Sequence, residues 1–208
     1  MEVETPSSAA VPSGAGAAAA GSGSRSDWLR HLALVPLLKM FNTADATVLR
    51  AVCKEQRDVV AKHDWCDRKT RIKFPKLWRK CFPHATGANV SNNLQLKDAD
   101  FEHLKGVQML DMSFCEQSTI TDAAFVHLGG LTLLKMSGCK QASITNNAFA
   151  HLKSVRFLNI SNCTQLGDAA FRHFKDLEVL DFSGCNQDRI TNAAFANLTG
   201  VKALYMSY

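Results

Sequence analysis

The chain has few of the features that mark membrane proteins, metal sites or enzymes. Among its 208 residues, no apolar run approaches the ~18 residues that a membrane-spanning helix needs, so no membrane partner is expected. No CxxC pair occurs, and neither a zinc site nor any other cofactor is predicted. A glycine-rich phosphate loop, a GxSxG motif and an HExxH motif are also absent. We therefore do not expect the chain to be an enzyme.

The N-terminal 26 residues are mainly Ala, Gly, Ser and Pro, with Glu2 and Glu4 near the start. A secretory signal needs a basic start and a longer apolar block than Ala17–Ala20. Residues 1–26 are predicted to be a disordered leader, with an organelle transit peptide as the alternative.

Seven cysteines are present, and four of them occupy the same position of an internal repeat. One cysteine per repeat suits a small buried residue better than a disulfide or a catalytic nucleophile, which is needed only once. Unpaired cysteines in every repeat indicate a reducing compartment, so the expected location is the cytoplasm or the nucleus.

A short signature recurs down the second half of the chain at a spacing of 22 or 24 residues. It reads LDMSFC (Leu110–Cys115), LKMSGC (Leu134–Cys139), LNISNC (Leu158–Cys163) and LDFSGC (Leu180–Cys185). A fixed period in this range is typical of a solenoid, in which stacked units supply the core that one unit cannot bury alone.

Each unit predicts a strand, a loop and a helix. Alternation at Leu158 and Ile160 is a strand signal that places Phe157, Asn159 and Ser161 outward. In the helix of another unit, Thr121 is the expected N-cap, and Phe125 and Leu128 share the face that packs on the core.

The pattern LxxLxLxxC resembles leucine-rich repeats of the cysteine-containing subtype. The resemblance implies an α/β solenoid, right-handed and curved, in which parallel strands line the concave face and helices lie outside. Residues 89–104 align with 159–174 without a gap, so a first repeat begins near Ala85 with Asn93 at the Cys position. Residues 85–208 then hold about five units. The spacing places another Cys beyond Tyr208, so the last unit is expected to be incomplete.

Residues 27–84 lack this period and predict a helical head followed by a linker helix. Residues 42–45 are a turn and cap signal, and Ala46–Ala61 is expected to form one helix. The segments VPLLKMF, ADATVLRAVCKEQRDVV and HDW resemble an F-box. The matching residues are Pro36, Leu38, Phe41, Asp45, Leu49, Val52, Cys53, Lys54, Arg57 and Trp65.

The F-box resemblance implies a small all-α head that docks a Skp-type adaptor, which bridges to a cullin–RING ubiquitin ligase. The residues expected to contact the adaptor are Pro36, Leu38, Phe41, Leu49, Val52 and Cys53. The repeats would then hold the target protein, and no residue of this chain would perform the chemistry.

Outward strand residues that vary between repeats are the candidate contacts for the unknown target protein, because an apolar column beside a polar one suits peptide recognition. They are Met109, Asp111, Leu133, Lys135, Phe157, Asn159, Val179, Asp181, Ala203 and Tyr205. The alternative is that they are ordinary strand residues facing water.

Two other patterns have simpler interpretations. Histidines recur before the last apolar helix residue of each repeat and could form a metal or pH-sensing ladder, but we favour solvated positions. They are His103, His127, His151 and His173. The basic stretch from Lys62 to Lys80 contains Trp65, Phe74 and Trp78 and could bind nucleic acid. We favour packing of these aromatics against the first repeat, so a nucleic-acid partner is not expected.

The sequence thus favours a receptor that presents a target protein to an SCF-type ubiquitin ligase. A leucine-rich-repeat scaffold without a ligase role is the alternative, and a nucleic-acid-associated protein acting through Lys62–Lys80 is a third possibility.

Overall fold

A sheet of seven parallel strands runs through residues 37–185 and 188–207, which are the residues that the computed structural model describes. The strands follow one another in chain order, each hydrogen-bonded to the next. They are β1 (Cys66–Arg71), β2 (Gly87–Asn89), β3 (Met109–Asp111), β4 (Leu133–Lys135), β5 (Phe157–Asn159), β6 (Val179–Asp181) and β7 (Ala203–Tyr205). Parallel neighbours require a crossover, and from β2 onward each crossover is one repeat.

Helical turns connect the strands and cover one face of the sheet. Four of them are 3-10 helices: η1 (Asp98–Leu104), η2 (Asp122–Leu128), η3 (Asn146–His151) and η4 (Asp168–His173). The α-helices are α1 (Thr43–Val52), α2 (Lys54–Lys62), α3 (Pro75–Cys81) and α4 (Asn192–Phe195). None of these helices is long and apolar enough to cross a membrane.

The core lies between the strands and the helical turns. One Phe from each of η1 to η4 is completely buried, and so is the Cys that follows strands β3, β4 and β5. The phenylalanines are Phe101, Phe125, Phe149 and Phe171. Neighbouring repeats supply the atoms that cover each ring, as in Phe125 and Phe149, whose ring centroids are 6.2 Å apart. The predicted α/β leucine-rich-repeat solenoid is confirmed.

The prediction for the individual unit holds in most details. Thr121 caps η2, since its side chain accepts a hydrogen bond from the Ala123 amide, and Phe125 and Leu128 are buried. The expected outer helices are mostly 3-10 turns of six or seven residues. Such 3-10 turns are common as connectors between other elements.

The first repeat, which the alignment begins near Ala85, is joined to the chain on both of its sides. Strand β2 pairs in register with β3, and the Asn93 side chain donates to the carbonyls of Ile72 and Lys73. A Cys at this position of later repeats donates to a carbonyl of the preceding repeat in the same way, as Cys115 does to Val90.

The head differs from its prediction in two respects. The single helix expected over Ala46–Ala61 is broken at Cys53, whose extended backbone (φ −156°, ψ 171°) ends α1 and precedes α2. Strand β1 lies inside the segment predicted as all-α, so that prediction is wrong for residues 66–71. Its edge position explains this, because β1 needs no apolar alternation to pair with β2.

Two contacts hold the helices of the head against β1 and the residue before it. The Thr43 amide and hydroxyl both donate to Asp67 of β1 at 2.7 Å, and the Trp65 indole donates to the Val60 carbonyl at 2.8 Å. The cap predicted at residues 42–45 is confirmed, since Asn42 and Asp45 form a capping box at the start of α1. The predicted leader, residues 1–26, lies outside the described residues, as does Pro36.

Candidate binding surface

The open face of the sheet is the face that the helical turns do not cover, and we call it the open sheet face. Strand pairing stacks the first residues of β3 to β7 in one column and the third residues in a second column. All ten residues predicted to contact the target protein belong to these columns. The middle residues of β3 to β6 point the other way and are at most 3% exposed.

The first column is apolar and the second is mainly polar, as the sequence predicts. The first contains Met109, Leu133, Phe157, Val179 and Ala203, and the second contains Asp111, Lys135, Asn159, Asp181 and Tyr205. The most accessible of the large apolar side chains are Phe157 and Tyr205, with 41% and 56% of their surface exposed. Exposed aromatic side chains beside polar partners are the usual composition of protein-binding hot spots.

A cleft of about 260 Å³ lies on this face between β4 and β7. Seven of the predicted target contacts line it, together with the edges of Leu134 and Leu158. Its polar side is partly held in place, because the Asn159 amide donates to the Asp181 carboxylate at 2.8 Å. Met109, Asp111 and Ala203 are on the same face but outside this cleft.

The residues that recur without variation form the scaffold. The Cys139, Cys163 and Cys185 thiols donate to carbonyls of the preceding repeat at 3.1–3.2 Å. Burial raises the pKa of Cys115 to about 11 and of Cys139 to about 12. Burial favours the protonated form of these thiols, which agrees with the packing role predicted from their repetition.

Recurring Gln and Ser side chains also link neighbouring repeats. The Gln141 and Gln165 amides donate to the carbonyls of Cys115 and Cys139 at 2.8 Å. The Ser161 hydroxyl donates to the Ser137 hydroxyl of the preceding repeat at 2.8 Å, and Ser161 is only 9% exposed. Ser161 therefore points outward, as predicted, but neighbouring residues cover its side chain.

Within the described residues, those predicted to contact an adaptor do not share one surface. Leu38 is 1% exposed and belongs to the core, so it cannot contact a partner in this conformation. Leu49 and Cys53 are half-buried, whereas Phe41 is 37% and Val52 is 64% exposed. Only the last two present a substantial apolar surface.

The predicted adaptor contacts do not include Val48, which is 69% exposed and lies one helical turn before Val52 on α1. Met40, at 80% exposed, was missed as well. The spacing of Val48 and Val52 predicts that both lie in one exposed stripe of α1, whereas the F-box resemblance assigns Leu49 to the adaptor.

The basic stretch divides into structural and solvated residues. Trp65 and Trp78 are buried to 2% and 8% exposure, as the packing interpretation predicts, while Phe74 is 56% exposed. The Arg79 guanidinium donates to the carbonyls of His103, Pro83, Ala85 and Lys105. It therefore connects α3 to the first repeat and is unavailable to a nucleic acid.

The histidine ladder lies at half-exposed or exposed positions of the helical turns. Cys81 and His84 have C-x-x-H spacing, yet no group of three potential metal ligands occurs in the described part of the chain. The solvated interpretation of the histidines fits this arrangement.

Comparison with known proteins gives a likeness to solved structures. No family model and no curated protein matches the chain. A crystal structure of TLR13 in complex with ssRNA13 is similar at 26% identity and a TM-score of 0.49, over 64% of this chain and 23% of that one. A structure of the Toll–Spätzle complex of Drosophila is similar at 16% identity and a TM-score of 0.41, over 74% and 28%. Both are leucine-rich-repeat proteins, and this chain spans about a quarter of their length.

Proposed function

We propose that this chain is a receptor that binds a target protein on the open sheet face and presents it to a ubiquitin ligase. The observation that carries the proposal is the cleft of about 260 Å³ in which exposed apolar and polar columns lie side by side. Phe157 supplies an aromatic contact, while Lys135 and Asp181 supply charges of opposite sign within one binding surface. Such a surface discriminates between partners by shape and by charge.

The adaptor is held by the head, in our proposal, through the exposed stripe of α1. Val48 and Val52 lie on one face of α1 and are 69% and 64% exposed. This assignment is supported by the F-box resemblance and by the exposure of these apolar side chains, which soluble proteins seldom leave grouped without a partner. The adaptor is of the Skp type, and it connects to a cullin–RING ligase.

The chain acts by proximity and is not itself an enzyme in this proposal. Holding a target lysine near the ubiquitin carrier raises its effective concentration, so binding geometry takes the place of chemistry by this chain. The cytoplasm or the nucleus is the proposed location. This is supported by the buried free thiols of the repeats, which suit a reducing compartment.

Co-purification with a purified Skp-type adaptor tests the ligase part of the proposal. The wild-type chain is expected to form a complex that the double variant V48D/V52D loses, since buried charges in an apolar interface are costly. The matched control is Val126→Asp, because Val126 is 57% exposed on η2, away from the head. The ligase role would be rejected if the adaptor does not bind the wild-type chain, or if it binds V48D/V52D equally well.

A leucine-rich-repeat scaffold without a ligase role is the second candidate. The burial of Leu38 in the common core favours it, because one of the residues that the F-box resemblance assigns to the adaptor is used for folding instead. The same co-purification separates the two functions.

A further inference from the structure

A second and larger cleft lies where the head meets the open sheet face. Its volume is about 840 Å³. One side is formed by Leu38–Asn42 of the head, another by Lys62–Lys69 around the start of β1, and the third by Asp111, Leu133 and Lys135 of the sheet. The cleft therefore joins residues that the sequence assigns to two different partners.

Five cationic side chains line this cleft. They are Lys39, Lys62, Arg68, Lys69 and Lys135. All five are exposed, and none forms an ion pair with another residue in ranges 37–185 and 188–207. Three of them belong to the basic stretch Lys62–Lys80, and the fold adds Lys39 of the head and Lys135 of β4.

Two of the three carboxylates in the cleft are already engaged by the protein. Asp67 accepts hydrogen bonds from the Thr43 amide and hydroxyl and from the Lys69 amide. Asp111 accepts one from the Ser113 amide at 3.0 Å. Asp64 is exposed at the rim. The cations therefore exceed the carboxylates, and an acidic ligand would meet an excess of positive charge.

The cleft also has an apolar side. Met40 is 80% exposed, Phe41 is 37% exposed, and Leu133 belongs to the apolar column of the open sheet face. A ligand that carries only charge would leave these side chains uncovered. One that alternates acidic and apolar groups would use both sides of the cleft.

We propose that this cleft binds an acidic, extended segment of the target protein, with its carboxylates toward the five cations and its apolar side chains toward Met40, Phe41 and Leu133. The inference rests on the proposed function, because it takes the open sheet face to be the target surface. It adds that the head contributes directly to target recognition. The segment continues from the head onto β4, whose Leu133 and Lys135 line both this cleft and the smaller one.

A peptide fits this site better than a nucleic acid. A phosphate backbone carries a charge at every nucleotide but supplies no apolar side chains to cover Met40 and Leu133. Stacking of bases needs exposed aromatic faces. Phe41 is the only phenylalanine that lines the described cleft, and Trp65 is buried.

The test measures binding of fluorescein-labelled synthetic peptides to the whole chain by fluorescence anisotropy. The probe is a peptide of Glu-Glu-Leu repeats, and its control has Lys-Lys-Leu repeats. The variant K39E/R68E/K135E changes one cation on each side of the cleft, and K39Q/R68Q/K135Q is a milder form. The matched control K140E/K153E/K175E changes the net charge equally at exposed lysines outside the cleft.

The wild-type chain is expected to bind the glutamate peptide and not the lysine peptide. The cleft variant should bind it at least about tenfold more weakly, whereas K140E/K153E/K175E should bind nearly as well as the wild type. Equal weakening by both charge-reversal variants, or equal binding of the two peptides, would overturn the proposal. So would tighter binding of oligothymidylate than of the glutamate peptide with the same dependence on the cleft residues.

Adaptor co-purification on the same variants distinguishes failure of this inference from failure of the proposed function. Peptide binding in the cleft without any adaptor complex would reject the ligase role but would still support the cleft as a peptide-binding site. An adaptor complex with no binding of the glutamate peptide would reject the cleft alone.

Discussion

The ring of Phe114 lies over Gly138 of the next repeat, and a Cβ at Gly138 would come within 2.7 Å of the ring. Both residues have left-handed backbone, with φ of 59° and 70°. The equivalent residues of other repeats are Asn92, Asn162 and Gly184, all left-handed as well. Asn and Gly adopt this conformation readily, but Phe does so only at a cost.

The substitution Phe114→Asn is expected to leave the free energy of unfolding unchanged or to raise it by about 1 kcal/mol, because it relieves backbone strain at a residue that is 49% exposed. Urea unfolding followed by circular dichroism measures this. The reverse change at the equivalent position, Asn162→Phe, should destabilise the chain. Clear destabilisation by Phe114→Asn would mean that the ring contributes packing that its exposure does not suggest.

An aspartate–threonine ladder joins the starts of successive helical turns. The Asp122 carboxylate accepts hydrogen bonds from the Thr145 amide at 2.7 Å and from the Thr145 hydroxyl at 2.6 Å. We expect Asp122→Ala to lower the free energy of unfolding by about 1–2 kcal/mol, since two hydrogen bonds to a charged group are lost. The control is Asp176→Ala, which changes an exposed loop aspartate. Equal effects of the two changes on urea unfolding would contradict a structural role for the ladder.

Thiol reactivity should follow burial. Cys66 is exposed, whereas Cys115, Cys139, Cys163 and Cys185 are buried, and burial raises the pKa of each of these four thiols. In the native chain, iodoacetamide is expected to modify Cys66 and to leave the four repeat cysteines intact. In urea all seven cysteines should react. Mass spectrometry of the alkylated peptides reports both states, and rapid native labelling of Cys139 would contradict the packing.

Acid should weaken the link between the head and β1. Burial of Asp67 alone would raise its pKa, but hydrogen bonds from Thr70, Thr43 and Lys69 outweigh burial and lower the pKa to about 2 from 3.8. A carboxylate with a depressed folded pKa contributes stability that is present above pH 3.8 and is lost as the pH falls through 2.

The substitution Asp67→Asn should therefore lower stability near neutral pH and make it less dependent on pH across this acidic range. Urea unfolding of both chains at several acidic pH values measures the slope, with Asp176→Asn as the control. Identical slopes for the wild type and Asp67→Asn would show that these hydrogen bonds do not favour the ionised carboxylate.

The repeats were predictable because their contacts are encoded in the period. Leu110, Leu134 and Leu158 recur at one spacing, and residues that recur at a solenoid's period must stack on one another. The two columns of the open sheet face follow from the same alternation. The left-handed Phe114 was recognisable too, as the one bulky residue among Asn and Gly in its repeat position.

The head was less predictable, for physical reasons. The apolar pattern continues through Cys53, and no side chain caps α2 there, so the break leaves no local signal. Strand β1 has no residue with a fully buried side chain, and it is a strand only because β2 pairs with it. The larger cleft has no sequence signature either, since it depends on the Thr43–Asp67 contact that places the head beside the sheet.

In our proposal the chain binds two partners at once, an adaptor on the α1 stripe and a target on the sheet side. Val48 and Val52 do not line either cleft on the open sheet face, so the two sites do not overlap. Simultaneous binding is tested by the anisotropy of the labelled Glu-Glu-Leu peptide on the chain saturated with a Skp-type adaptor. The peptide is expected to bind the adaptor-bound chain about as tightly as the free chain. Displacement of the peptide by the adaptor would contradict it.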